Sequence, residues 1–343
     1  MTARAGIASR VVRWQREHGR HGLPWQGTQD PYRVWLSEIM LQQTQVATVL
    51  GYYTRFLDRF PTVHALAQAP LDDVLALWSG LGYYSRARNL HRCAQDVVTE
   101  HGGRFPATRD GLVLLPGIGA STAAAIAAFC FGERVAILDG NVKRVLARWL
   151  GFEGDLALAA DQRRLWAAAE GLLPVRDIGA YTQGLMDLGA SVCSARRPDC
   201  ARCPLAADCV AHAGGAPERL PIKSRRLKRG RRSHALLLMQ LRGRVWLVRR
   251  PAVGVWAGLW SLPEYASAEL LTQAAAQWPG RGDWRPAIEH ALTHFDWTLL
   301  PLAWHWPEHG ADLPELADGR WVTAAEALAM GLPAPVRRLL EAG

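Results

Sequence analysis

The sequence lacks any apolar run near the ~20 residues that a membrane-spanning helix needs, so we expect no transmembrane segment. The first twenty residues have no hydrophobic core segment and no small-residue cleavage site, which argues against a secretory signal peptide and favours an amphipathic helix. We find no internal repeat. We therefore expect a cytoplasmic protein in a reducing compartment, where its six cysteines do not form disulfides.

The composition is that of an ordinary globular protein with an excess of positive charge. A length of 343 residues suits about two domains, and 49% hydrophobic residues support packed cores. The net charge of +9 suits a polyanionic partner such as nucleic acid. Charge alone does not define the fold, and many basic proteins bind no nucleic acid.

Residues 1–212 carry short apolar-periodic segments between turn signals, which predicts an almost entirely helical region. Asp30 and Pro31 form an N-cap followed by proline at the first helical position, and they open a helix through WLSEIMLQQTQV. LPGIGASTAAAIAAF (115–129) and LDGNVKRVLARWL (138–150) each predict a turn that leads into a helix.

The composition changes after this region. Residues 213–232 hold glycine, proline and clustered arginine and lysine, and they predict a basic linker whose charges suit solvent as well as phosphate. Beyond it, HALLLMQLRGRVWLVRR predicts two strands around a turn at Arg242 and Gly243. DWTLLPLAWHW predicts a further strand. Residues 233–343 are therefore expected to form a separate α+β domain.

Four of the six cysteines follow one another with the spacing C-x6-C-x2-C-x5-C, at Cys193, Cys200, Cys203 and Cys209. The central pair can bind one site, and the flanking pair can close it. Structural zinc usually has paired C-x2-C units, and only one is present here. Four thiolates also suit a [4Fe–4S] cluster, which we expect, with a four-thiolate zinc site as the alternative.

A glycine-rich turn, LPGIGAST, places Gly117 and Gly119 directly before a helix. Glycine permits positive φ and close backbone approach, and the N–H groups at the start of the helix attract an anion. A plain turn between two helices has the same residues. In a basic chain with the cysteine quartet, the motif predicts a helix-hairpin-helix element that grips a DNA phosphate.

Two acids stand in contrasting surroundings. Glu38 has Val34, Trp35 and Leu41 at neighbouring helical positions, so burial would raise its pKa and make it a proton donor near neutral pH. A glutamate on a solvated helix face is the ordinary alternative. Asp139 precedes a helix whose dipole would keep it ionised, although it could be a simple cap. Two acids whose pKa values are pushed apart are what glycosidic chemistry uses.

Several long motifs occur in one order: LPW, DPYRVWLSEIMLQQTQVATV, GLGYYSRARNL, LPGIGASTAAAI, LDGNVKRVLAR, MDLGASVC and the four-cysteine loop. With them the chain resembles the adenine DNA glycosylases of the MutY family, densely over residues ~10–212 and more loosely beyond. The resemblance implies an all-α helix-hairpin-helix glycosylase with a [4Fe–4S] loop, followed by an α+β Nudix-like domain. A six-helix region would cover about 25–133, and an iron–sulfur region would combine residues 1–24 with 134–212.

The resemblance implies hydrolysis of the N-glycosidic bond of adenine paired with 8-oxoguanine or guanine in duplex DNA, after the adenosine is flipped out. Glu38 would protonate adenine N7, Asp139 would stabilise the cationic deoxyribose, and Asn141 would lie beside Asp139. Tyr83 would enter the duplex next to 8-oxoguanine, and Gln43 would fill the stack near it. The other residues expected at the adenine pocket or on DNA are Trp25, Gln42, Arg86, Gly117, Gly119, Ser121, Lys143 and Gln183.

Ser121 bears on the type of reaction. Related glycosylases that also nick the strand carry lysine at this position, as a Schiff-base nucleophile. Serine therefore predicts a largely monofunctional enzyme without strong lyase activity. Lys143 is expected to contact a phosphate rather than to act as a nucleophile.

In the C-terminal domain, GVWAGLWSLPE resembles the start of a Nudix box, but LTQAAAQW replaces the acids expected downstream. The domain should therefore neither bind the Nudix metal nor hydrolyse nucleotides. In the family it recognises 8-oxoguanine through a loop that corresponds here to Leu292, Thr293 and His294. Thr293 stands where relatives often have serine and keeps the hydroxyl. An ordinary loop at a strand edge is the alternative.

We expect a monomer in the bacterial cytoplasm, associated with the nucleoid, that binds DNA with A:8-oxoguanine or A:G mispairs and contacts repair proteins through its basic linker. Two other functions stay open. An endonuclease III-like glycosylase-lyase for oxidised pyrimidines would share the hairpin, Asp139 and the cluster, but Ser121 and the Nudix-like tail argue against it. A catalytically silent DNA-binding protein with a redox-sensing cluster would leave the paired acids unexplained.

Overall fold

The computed structural model describes three ranges of the chain: residues 6–224, 229–307 and 318–342. A portion of the predicted linker, residues 225–228, lies outside them. The chain divides into two compact units. The helical unit comprises Met1–Ala67 and Arg92–Arg226, and the sheet unit comprises Gln68–His91 and Leu227–Gly343. Residues 68–91, which the sequence analysis grouped with the helical region, thus belong to the sheet unit.

Helices form nearly all the regular structure of the first 213 residues: α1 (Ile7–His18), α2 (Pro31–Leu41), α3 (Val46–Arg59), α4 (Val63–Gln68), α5 (Leu71–Trp78), α6 (Ser85–His101), α7 (Arg109–Leu112), α8 (Ala120–Phe131), α9 (Gly140–Leu150), α10 (Ala159–Glu170), α11 (Ile178–Ser191) and α12 (Val210–Ala213). The expected helix starts are confirmed. The Asp30 side chain accepts the Tyr32 N–H at 2.9 Å, and Asp139 accepts the Val142 N–H at 2.7 Å. In the described ranges, no helix is long and apolar enough to cross a membrane.

The core of the helical unit forms where α1, α9 and α11 pack together. α9 buries Val142, Val145 and Leu146, one apolar face at helical spacing. Gly189 of α11 allows the start of α9 to come very close, since a Cβ at this glycine would lie 2.6 Å from the Asn141 Cβ. The absence of a side chain at 189 therefore helps to fix the position of the loop that carries the predicted acid.

The sheet unit contains the strands β1 (Gly230–Leu241), β2 (Arg244–Arg249), β3 (Trp260–Ser261), β4 (Glu264–Tyr265), β5 (Arg281–Trp284), β6 (Ile288–Ala291), β7 (Phe295–His305) and β8 (Gly319–Thr323). Among the described residues, its sheet runs β3-β2-β1-β7-β5. β1 and β7 are parallel, whereas the other pairings are antiparallel. The sheet unit also contains α13 (Ala268–Ala275), α14 (Ala324–Leu328) and α15 (Ala334–Ala342). The α+β prediction is confirmed.

The predicted hairpin in this sheet is also confirmed. β1 and β2 pair around Arg242 and Gly243, whose φ angles of 50° and 72° are those of a tight hairpin turn. Alternate residues of β1, Ala235, Leu237 and Met239, pack in the same hydrophobic core as residues of α13. The long central strand is thus anchored by its period-2 apolar pattern.

Candidate active site and cysteine centre

A cavity of about 1710 Å³ lies in the helical unit, between the end of α2, the starts of α8 and α9, and α11. The loop of residues 20–29 forms another of its walls. The cavity brings together eight residues that the sequence predicts for catalysis or substrate contact: Trp25, Glu38, Gln42, Gln43, Ser121, Asp139, Asn141 and Gln183.

Glu38 is half-buried on α2 and lines this cavity together with Val34 and Leu41. Burial raises the pKa of its carboxyl group from 4.5 to about 8, and the negative charge of Asp139 adds to the elevation. Glu38 therefore does not lie on a solvated helix face. At neutral pH its carboxyl group holds a proton and can act as an acid.

Asp139 also meets the cavity, as the N-cap of α9. Burial raises the pKa of its carboxyl group, and this outweighs hydrogen bonds from Val142 and Asn141 and the charge of Arg144, which lower it. The helix start is thus not the dominant influence, contrary to the sequence-based expectation. The negative charge of Asp139 raises the pKa of Glu38, which identifies Glu38 as the acid of the pair that keeps its proton.

Arg144 was not predicted, although it lies within the LDGNVKRVLAR motif. Its guanidinium donates to Asn141 Oδ1 at 2.8 Å, to the Gly189 carbonyl at 2.6 Å and to the Cys193 carbonyl at 2.7 Å. The Asn141 amide in turn lies 3.4 Å from Asp139 Oδ2. Arg144 therefore orients the polar group beside the acid and links it to the first residue of the cysteine quartet.

A buried carboxylate orders the other side of the cavity. Asp187 has no exposed surface, and its carboxylate accepts hydrogen bonds from the Arg20 side chain at 2.6 Å and from the Gln183 amide nitrogen at 2.9 Å. The Gln183 amide oxygen is thereby left available as an acceptor. Trp25 packs edge-on against Tyr53, with ring centroids 5.3 Å apart. No local pattern pointed to Asp187 or Arg20, because each acquires its role from a partner far away in the chain.

The end of α2 turns the glutamines toward the cavity. Gln42 is the C-cap and its amide lies 3.4 Å from the Thr122 hydroxyl. Gln43 is exposed and has a φ of 58°, a left-handed conformation that is rare outside glycine. Ser121 lies in the first turn of α8 on the same cavity.

The glycine hairpin joins α7 to α8. Gly117 has a φ of 76°, which supports the expected need for glycine at that position. Gly119 is different: its φ of −84° and ψ of 168° are open to any residue, and a Cβ there would meet nothing within 4 Å. The backbone and the space at 119 therefore do not require glycine, although glycine is a better N-cap for α8 than an aliphatic residue would be.

The sheet unit brings together Tyr83 and the predicted 8-oxoguanine loop. The Tyr83 hydroxyl lies 2.8 Å from the Thr293 hydroxyl, within hydrogen-bond distance. Leu292, Thr293 and His294 form the turn between β6 and β7. Tyr83 is 45% exposed, with a φ of 47°.

Arg86 is buried against the Tyr83 ring rather than lying on the surface. It is 8% exposed and donates to the carbonyls of Leu81 and Gly82 at 3.0 and 3.3 Å. Its guanidinium also lies 5.5 Å from the centre of the Tyr83 ring. Any influence of Arg86 on DNA would therefore pass through the position of Tyr83.

The cysteine quartet surrounds a separate small cavity with apolar walls that include Val145 and Leu205. All four thiols are free and half-buried. Burial raises the pKa of Cys203 to about 11, and the negative charges of the other three cysteines raise it further. Arg148, only 2% exposed, donates to Cys193 Sγ at 3.3 Å and to the carbonyls of Ser194 and Ala195 at 2.6 and 2.8 Å.

The helical unit and its cavity have the architecture of a base-excision glycosylase. A family model described as HhH-GPD superfamily base excision DNA repair protein matches residues 36–167, and a NUDIX domain model matches residues 234–342. A solved structure of a thermostable thymine-DNA glycosylase is 30% identical and superposes with a TM-score of 0.57, over 62% of this chain and 97% of that one.

Two relatives of known name show which kind of glycosylase the chain resembles. The adenine DNA glycosylase of Buchnera aphidicola subsp. Acyrthosiphon pisum (strain APS) is 34% identical over 334 residues, which cover 96% of this chain and 95% of that protein. The Homo sapiens adenine DNA glycosylase is 36% identical over 302 residues, covering 73% and 55% of the two chains. The chain belongs to the adenine DNA glycosylase family, and the resemblance seen in its motifs is confirmed.

Proposed function

We propose that the protein excises adenine from duplex DNA in which it is paired with 8-oxoguanine or guanine, by hydrolysis of the N-glycosidic bond. The observation that carries this proposal is the pair of acids on one cavity. Glu38, with a pKa of about 8, holds a proton at neutral pH, and Asp139 lies close enough to act on it electrostatically. Two carboxyl groups of unequal proton affinity suit departure of a base from a sugar.

The reaction then follows from the chemistry of the two groups. With adenosine flipped into the cavity, Glu38 donates its proton to adenine N7, and the electron pair of the C1′–N9 bond leaves with the base. Asp139 stabilises the positive charge that develops on the deoxyribose, with Asn141 and Arg144 holding its surroundings in place. Water adds at C1′ and loses a proton to complete the hydrolysis.

The residue at position 121 supports hydrolysis without strand cleavage. Ser121 lies on the cavity, and among the described residues that line it there is no lysine to form a Schiff base with the sugar. The glycosylase is therefore proposed to be largely monofunctional.

Recognition of 8-oxoguanine is assigned to the sheet unit. The hydrogen bond between Tyr83 and Thr293 supports this, because it joins the aromatic ring expected inside the duplex to the hydroxyl expected on the damaged base. The Tyr83 ring is exposed, and the buried Arg86 guanidinium lies against it, which suits a residue that enters a base stack.

The cysteine centre is proposed to hold a [4Fe–4S] cluster. The donors are four free thiols around one cavity, and the Arg148 guanidinium donates a hydrogen bond to the Cys193 sulfur. When bound, the cluster would crosslink the loop from Cys193 to Cys209 through four iron–sulfur bonds.

A single-turnover assay on matched duplexes tests the function. Adenine should be released from A:8-oxoguanine and A:G duplexes but not from A:T, and the strand should break only after alkali treatment. A duplex containing an oxidised pyrimidine serves as the comparison substrate. Release of the pyrimidine, or strand cleavage without alkali, would contradict the proposal and favour the glycosylase-lyase alternative.

A further inference from the structure

The segment that follows the cysteine loop is attached to the helical unit on both sides of Lys223. The Leu156 N–H donates to the Ile222 carbonyl at 2.9 Å, and Asp155 and Ile222 form an isolated parallel β-bridge. The Ser224 N–H donates to Asp155 Oδ1 at 3.1 Å, and the Ser224 hydroxyl contacts the other oxygen of the same carboxylate. The backbone of Lys223 is thus fixed, whereas the residue itself is exposed.

Lys143, in the first turn of α9, approaches the same place. Its ammonium group donates to Gln162 Oε1 at 3.2 Å, and the Gln162 amide nitrogen donates to the Leu156 carbonyl at 3.0 Å. A chain of hydrogen bonds therefore runs from Lys143 to Ile222, the neighbour of Lys223. Burial lowers the pKa of Lys143, and the positive charge of Lys223 lowers it further, so the two ammonium groups lie within electrostatic range.

The attachment of this segment is linked to the cysteine centre. Arg148 Nε donates to the Leu220 carbonyl at 2.9 Å, while the other nitrogens of the same guanidinium hold Ser194 and Ala195. One buried side chain therefore joins the start of the cysteine loop to the start of the Lys223 segment. This arrangement gives a residue of the predicted linker a fixed position on the helical unit.

Two like charges within electrostatic range of each other repel, and an anion that reaches both would offset that repulsion. The only carboxylate among the described influences on Lys143 is Asp139, which the proposed function uses at the sugar. A DNA phosphate meets the requirement, since it is a monoanion whose oxygens accept hydrogen bonds from ammonium groups.

We propose that Lys143 and Lys223 together bind one backbone phosphate of the DNA, adjacent to the deoxyribose that faces Asp139. The identity of that sugar rests on the proposed function, whereas the phosphate contact does not. Both lysines act as positioning residues: by fixing the phosphate they fix the sugar relative to Asp139. Lys223 extends the DNA contact into residues 213–232, which the sequence predicts to be a basic linker whose charges suit solvent as well as phosphate.

The test measures binding of the full-length protein to a duplex that carries uncleavable 2′-fluoro-2′-deoxyadenosine opposite 8-oxoguanine, between about 50 and 200 mM salt. Lys143→Ala and Lys223→Ala should each weaken binding by roughly three- to tenfold and reduce the salt slope by about one. The double variant should lose less than the sum of the two single losses, because both lysines contact one phosphate. Lys223→Arg should retain binding, and Arg219→Ala, which removes an exposed cation four residues away, is the matched control.

Neutral methylphosphonate linkages locate the contact. They are placed one at a time on either side of the target adenosine. At one of these positions, the neutral linkage should weaken wild-type binding at least as much as Lys223→Ala does. At that position Lys223→Ala should lose less binding than the wild type loses, because only the contact of Lys143 remains to be removed. Equal binding by wild type and Lys223→Ala, or additive losses at every linkage, would refute the proposal. Absence of adenine release by wild type would overturn the proposed function alone, because these measurements use uncleaved DNA.

Discussion

Replacing Glu38 with glutamine tests the acid on which the proposed chemistry depends, and it has a readout that needs no substrate. The pKa of Glu38 rises from 4.5 to about 8 in the folded protein, because its carboxyl group is buried beside Asp139. A difference of this size corresponds to at most about 5 kcal/mol, at 1.36 kcal/mol for each pH unit. Glutamine has nearly the same shape and cannot ionise, so Glu38→Gln removes this contribution without opening a cavity.

The sign of the effect follows from proton linkage. Because the folded pKa lies above the unfolded one, the native state binds more protons, and the contribution of Glu38 to stability is fully present below pH 4.5. It is lost progressively as the pH rises through about 8. We therefore expect the free energy of unfolding of the wild type to fall over this range relative to Glu38→Gln. The variant should be the more stable protein at high pH.

Urea unfolding at a series of pH values measures this difference, with Glu153→Gln as the control for removal of an exposed glutamate. In parallel, single-turnover adenine release should fall by about 10²- to 10⁴-fold in Glu38→Gln, while binding of the duplex persists. The wild-type rate should decline above pH 8, where Glu38 loses its proton. Stability curves for wild type and Glu38→Gln that stay parallel across the pH range, or undiminished adenine release, would show that Glu38 is not the buried acid.

Three further predictions concern the other sites of the structure. Tyr83→Phe and Thr293→Val each remove the hydrogen bond between the two hydroxyls, so each should reduce the preference for A:8-oxoguanine over A:G by about tenfold. The double variant should reduce this preference no further, and Thr293→Ser should keep it. Additive losses in the double variant would show that the two hydroxyls act separately. Gly119→Ala should change the stability of the free protein by less than ~1 kcal/mol, because the lower entropy of the unfolded chain is offset by the poorer N-cap, yet it should weaken DNA binding about tenfold. Gly51→Ala on α3 should not change binding, and equal affinity for both variants would remove the hairpin from the DNA interface. Lysine cannot reproduce the two hydrogen bonds by which the Arg148 guanidinium holds the cysteine loop, so purified Arg148→Lys should lose iron and visible absorbance while keeping its helical circular dichroism. Arg164→Ala, at an exposed site, should keep its iron. Full iron content in Arg148→Lys would contradict the role given to Arg148.

Elements whose signals are local could be predicted from the sequence. The start of α2 depends on Asp30 and Pro31, which cap and open the helix within three residues. The β1–β2 hairpin depends on a turn between two apolar runs, and its residues have the positive φ angles that such turns require. In both cases the determining contacts lie within a few positions along the chain.

The membership of residues 68–91 in the sheet unit could not be predicted in this way. It depends on contacts between residues far apart in sequence, such as Arg249 with Asp72 at 2.7 Å and the Tyr84 hydroxyl with the Leu332 carbonyl at 2.9 Å. No periodicity within the helical segment encodes these partners. The pKa of Asp139 has the same origin, since its elevation comes from tertiary burial and the sequence shows only the helix start.

Two of the residues expected inside the duplex have a backbone conformation that favours glycine. Gln43 and Tyr83 both have left-handed φ angles, of 58° and 47°, which cost about 1–3 kcal/mol for a residue with a side chain. Glycine would adopt the same conformation without that cost. Neither side chain is buried in a core, and the contacts of Tyr83 with Thr293 and Arg86 leave its ring exposed, so core packing does not explain why a glutamine and a tyrosine occupy these positions. The strain is explained if each side chain serves a contact outside the protein, and a base stack that has lost one nucleoside offers such a contact.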